Sequence, residues 1–120
     1  MKSMLVPVAS AVVIAALSIF PASAEPLSGG LVAVKPGVAT PIYGVRGNDC
    51  KTAPEFSKLT LPAIAHGTFS DGGEGSRHSA ACGKTVPVRI VNFTSNPDYR
   101  GAIRTALYGD LVTIDVRPPN

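Results

Sequence analysis

Glycine and proline recur so often after residue 24 that no helix longer than two turns fits between them. The chain carries 12 Gly and 11 Pro in 120 residues, and every glycine lies beyond residue 24. Between them run short stretches rich in β-branched and apolar residues, which fit a half-buried pleated surface and predict an all-β fold. Strands are expected over residues 31–34, 42–45, 56–61, 64–69, 86–93, 103–108 and 112–116. Pro36-Gly37, Gly47-Asn48-Asp49 and Asn96-Pro97-Asp98 separate them as turns. The last two runs are the clearest: Ile103, Thr105 and Leu107 share one face, and Val112, Ile114 and Val116 alternate with polar residues. Gly109-Asp110 between them predicts a type II′ hairpin turn. Pro87 places the 86–93 run at a sheet edge or makes it a strand beginning there.

The first 24 residues read differently. Lys2 gives a positive start, an apolar run follows to Phe20, Pro21 breaks it, and Ala22-Ser23-Ala24 offers small residues to a signal peptidase. Residues 1–24 are expected to be a signal peptide cut between Ala24 and Glu25, with the mature protein periplasmic or secreted. Pro7 and Pro21 leave the run marginal for a spanning helix, so no membrane span is expected after leader removal.

Residues 25–120 make a single domain with a modest core, for which one covalent brace matters. Cys50 and Cys82 are the only cysteines, and an even count in a small exported chain favours a disulfide between them. Loss of Lys2 leaves ten Lys and Arg against eight Asp and Glu, a formal charge of +2 scattered along the chain. No basic stripe forms, Trp is absent and aromatics are few, so nucleic acid is not an expected partner.

Three segments carry a family likeness: His66-Gly67-Thr68-Phe69, then Phe93-Thr94-Ser95-Asn96-Pro97-Asp98-Tyr99-Arg100-Gly101, then the terminal hairpin. Together they resemble the bacterial cadherin-like and Ig-like repeats of large surface adhesins, over roughly residues 60–117. The resemblance implies an Ig-like or cadherin-like antiparallel β-sandwich of about seven strands. It also implies a non-enzymatic structural or interaction module of the cell envelope or extracellular space. Such a module is expected to work as a monomer or weak oligomer, with a protein or polysaccharide of the envelope as partner. The alternatives are a small-ligand or metal-binding periplasmic protein and, last, a small secreted enzyme.

Residues 71–84 are Gly-rich and polar, and read as a surface loop tied down by Cys82. Within it Arg77, His78 and Lys84 are the candidate partner contacts, since Arg and Lys hold carboxylates or anionic sugars by charge-assisted hydrogen bonds. Gly83-Lys84-Thr85 mimics the end of a phosphate-binding loop, but His78 replaces the first Gly and no helix follows, so no nucleotide cofactor is expected. His66, His78, Asp49 and Asp71 lack the local spacing of a zinc site. Asn48-Asp49 and Asp71 supply too few oxygens for calcium. Ser76 and Ser79 flank His78 too closely to form a triad with it, and no Gly-x-Ser-x-Gly elbow occurs, so no catalytic residue is assigned. Tyr99, between the Asn96-Pro97 turn and Gly101, is expected to pack beneath that turn with its hydroxyl on backbone.

Overall fold

Alternating apolar residues become two stacked three-stranded sheets in the computed structural model, which describes residue 27 and residues 29–118. The predicted leader and its Ala24–Glu25 cleavage point lie outside the described residues. Six strands follow in chain order: β1 (Gly30–Val34), β2 (Thr40–Arg46), β3 (Gly67–Ser79), β4 (Lys84–Ser95), β5 (Gly101–Leu107) and β6 (Asp110–Val116). One sheet has the order β1-β6-β5 and the other β2-β4-β3. The chain is therefore all-β. No described helix is long and apolar enough to cross a membrane.

The sheets meet through their apolar faces. Val32 and Val34 of β1, Ile103 and Leu107 of β5, and Val112, Ile114 and Val116 of β6 pack against Ile42, Tyr43 and Val45 of β2 and Val91 and Phe93 of β4. The opposite faces of β1 and β6 stay in water, with Leu31 and Leu111 largely exposed. That alternation makes the register unique, because a one-residue slip would carry every buried valine of β6 into solvent.

Four expectations are corrected. The sheet β1-β6-β5 is mixed rather than antiparallel: β1 runs parallel to β6, from Gly30 opposite Val112 to Val34 opposite Val116. A parallel neighbour needs a long connection, and here the rest of the domain lies between the two strands. Next, residues 56–61 form no strand. Phe56–Lys58 is a single 3-10 turn inside a crossover that joins β2 to β3. Phe56, Leu59, Leu61 and Ile64 dock on the core one by one, while Pro54 and Pro62 withhold the N–H groups a ladder would need.

The third correction concerns residues 71–84, most of which are strand. β3 runs to Ser79 and pairs with β4 from Gly67 opposite Ser95 to Ser79 opposite Lys84. A bulge between Asp71 and Glu74 interrupts the register. Gly73 takes φ +87° there, and its N–H donates to Asp71 Oδ1 at 2.8 Å. The bulge is pinned from β4 by Arg89, whose guanidinium lies 3.4 Å from Asp71 and 3.6 Å from Glu74. Only residues 80–83 turn. Fourth, the β5–β6 connection centres on Tyr108 and Gly109, at φ 50° and 86°, not on Gly109 and Asp110. Two successive positive φ values make a type I′ geometry, whose twist matches a hairpin.

Pro87 is accommodated without an edge strand. β4 is central, but β2 reaches only Val88 along it, so Pro87 lies just past that ladder. The Tyr99 hydroxyl reaches backbone as expected, 3.5 Å from the Ala102 carbonyl, while its ring stacks on His66 at 3.9 Å.

Because Phe93 is fully buried in the seam, Phe93→Ala should cost about 3–5 kcal/mol in urea unfolding. Leu111→Ala on the wet face should stay within about 0.5 kcal/mol of the parent.

Candidate binding cleft

Where the apolar seam ends, the side chains turn polar and a cleft of about 650 Å³ opens. Three pieces of chain surround it: the end of β2 with Tyr43, Val45, Arg46 and Asn48; the β3–β4 turn region with Arg77, His78, Ser79, Ala80 and Ala81; and the β5–β6 turn with Tyr108 and Asp110. Each sheet thus contributes a wall. Its volume suits a small ligand or one group of a larger partner.

The cleft is built around a hydrogen bond between the sheets. The Tyr43 hydroxyl donates to Asp110 Oδ2 across 67 positions of sequence. Asp110 pairs with Leu107 and keeps the parity of Val112, Ile114 and Val116, so its carboxylate faces the interior where the core gives way to the cleft. Burial pushes the Tyr43 hydroxyl well above the usual tyrosine range, and the Asp110 hydrogen bond and charge add to that. The Arg77 and Arg46 guanidiniums act in the opposite direction, so both lie within electrostatic reach of the hydroxyl.

Arg77 leaves β3 and crosses to β2. Its guanidinium sits 5.6 Å from the Tyr43 ring centroid, Nε donates to the Gly44 carbonyl at 2.8 Å, and Nη1 donates to the His78 carbonyl at 3.2 Å. Arg46 Nη1 donates to the Gly47 carbonyl at 3.1 Å. Tyr108 stands half-exposed at the rim, where its hydroxyl accepts the Thr60 N–H at 2.7 Å.

The disulfide Cys50–Cys82 forms, with a Cα–Cα distance of 5.9 Å, and ties the segment after β2 to the β3–β4 turn. Both of its ends are prepared locally. Asp49 Oδ1 accepts the Lys51 and Thr52 N–H groups at 2.9 Å each, which hold its carboxyl below the usual range and set the tight bend that carries Cys50. Ser79 Oγ accepts the Cys82 N–H at 3.2 Å, and the Ser79 carbonyl accepts from Gly83 at 2.8 Å. Ser79 is buried and committed to that turn.

Of the three predicted contacts, Arg77 and His78 line the cleft and do so from a strand instead of a loop. Lys84 begins β4 and does not line it. His66 stacks on Tyr99 near the other end of β3, away from His78. Asp71 is held by Arg89. Among the described residues no three His, Cys, Asp or Glu side chains converge as a metal site requires. Tyr43, Arg46, Tyr108 and Asp110 were not singled out by the sequence reading as partner contacts, although a carboxylate on the apolar parity of β6 was a visible signal. Compared with known proteins, the chain matches no family model, no curated protein sequence and no solved structure.

Two measurements check this arrangement. Tyr43 has a raised folded-state pKa, so its contribution to stability is complete below the ordinary tyrosine value near 10 and is lost as pH rises beyond it. Unfolding free energy should therefore fall more steeply above pH 10 in the parent than in Tyr43→Phe. Parallel profiles would contradict the burial of that hydroxyl. Reduction of Cys50–Cys82 should lower stability by about 3–4 kcal/mol in the chain-entropy account, read from urea unfolding with and without reductant.

Proposed function

We propose that this chain is an exported, non-enzymatic interaction module of the cell envelope or extracellular space, which contacts its partner through the cleft at the Cys50–Cys82 end. The observation that carries this reading is the convergence of Arg77 and His78 with Arg46, Tyr43 and Tyr108 around one opening. Residues far apart in sequence gather there. Hydrogen-bond donors and a half-exposed aromatic ring are what a recognition surface uses; Arg77, His78, Arg46 and Tyr43 are held on strands, and Tyr108 on the tight β5–β6 turn. A disulfide beside the cleft fits an oxidising compartment, in agreement with the leader expected over residues 1–24.

The cadherin-like and Ig-like resemblance supports the same class, as an all-β domain made for contact. A second reading, a small-ligand-binding protein, draws its support from the cleft volume of about 650 Å³. The two differ in what fills the cleft, not in where contact is made.

Secretion of the full chain should yield a protein that begins at Glu25 by intact mass; retention of residues 1–24 would remove the export reading. The oxidised processed protein should then capture a partner from envelope protein or polysaccharide fractions that a double variant, Arg77→Gln with His78→Ala, does not capture. Equal capture by both would move the contact to another surface.

A further inference from the structure

We infer that the cleft takes a uronate, a sugar ring bearing a carboxylate, from an acidic polysaccharide. This rests on the reading of the cleft as the contact surface and names the chemistry of its occupant. Charge is the first reason. The ion pairs among the described residues belong to Arg89 and Arg117, and no described carboxylate lies within ion-pair distance of Arg46 or Arg77. Asp110, which also lines the cleft, already accepts the Tyr43 hydroxyl. Two guanidiniums against one occupied carboxylate leave an excess of one positive charge, which a single ligand carboxylate would balance.

Geometry is the second. Arg77 is fixed by its bonds to the Gly44 and His78 carbonyls, while its Nη2 makes no hydrogen bond among the described residues. A guanidinium held in one plane is already ordered for a carboxylate, so less side-chain freedom is lost on binding. The third reason is Tyr108. Its hydroxyl is anchored to Thr60 while its ring stays half-exposed at the rim, which presents a flat apolar face next to the charged groups. A uronate matches both features, because its ring offers an apolar C–H face and its edge carries hydroxyls and the carboxylate. An aspartate or glutamate side chain supplies the charge but has no flat face for Tyr108.

The test is a titration of the oxidised processed protein followed by amide NMR, with three probes: a tetramer of galacturonate, the neutral galactose tetramer, and tetraglutamate. The galacturonate tetramer should shift amides around residues 43–48, 77–82 and 108–110, and added salt should weaken it. Arg77→Gln and Arg46→Gln should each weaken that binding about tenfold. Lys84→Gln should leave it unchanged. Arg46 donates only to the carbonyl of its neighbour Gly47, so its variant reports on binding even if Arg77→Gln, which loses the bond from β3 to Gly44 of β2, unfolds the domain. Equal binding of the neutral tetramer would overturn the proposal by showing that the charges are not read. Equal or tighter binding of tetraglutamate at the same amides would overturn the sugar and leave the cleft standing as the contact surface. No shift at these amides with any probe would also overturn it, and partner capture that survives the Arg77 and His78 double variant would overturn the cleft reading itself.

Discussion

Among the described residues no ladder of backbone hydrogen bonds joins the two sheets, so their relative placement depends on side chains across the seam between them. Most of that seam is aliphatic and non-directional, which drives stacking but sets position loosely. At its end, the Tyr43–Asp110 hydrogen bond adds direction. It fixes Tyr43 of β2 against Asp110, the first residue of β6, and so holds the two cleft walls together at this point. The Cys50–Cys82 bridge does the same for the β3–β4 turn, which would otherwise project past the end of β2 with no neighbour. The cleft is thus a consequence of how the sandwich is closed at one end.

Much of this fold was legible where a strand carries its own pattern. β6 alternates valine and isoleucine with polar residues, β4 is dense in β-branched side chains, and both were placed correctly to within a few residues. β3 was not, and the reason is physical. Its residues 71–79 contain glycines and polar side chains without an apolar period, so nothing local favours a strand. Pairing with β4 supplies what the sequence lacks, and the bulge at Gly73 absorbs the misfit. The opposite error occurred at residues 56–61, where apolar side chains look like a strand but dock on the core individually across Pro54 and Pro62. The parallel β1–β6 pair could not be read at all, since nothing in either strand names a partner some eighty positions away.

The cleft was half legible. Arg77 and His78 stood out because the Gly-rich, polar segment 71–84 concentrates side chains able to hold a partner, and both reach the cleft. Lys84 shared their neighbourhood in sequence but begins β4 outside the cleft lining. Tyr43 and Asp110 were not read as cleft residues, Asp110 being assigned only to the hairpin turn, because their meaning lies in their pairing. A tyrosine inside an apolar strand and an aspartate beside a turn are each ordinary alone. Together they form the polar end of the core.

A double-mutant cycle between Tyr43 and Asp110 tests this account most directly, with unfolding free energies measured for the parent, Tyr43→Phe, Asp110→Asn and the pair. A hydrogen bond to a charged acceptor at the end of the seam predicts a coupling of about 1–3 kcal/mol between the two positions. Additive effects, with coupling no larger than about 0.3 kcal/mol, would mean that the sheets are placed by apolar packing alone and that this bond does not set the cleft.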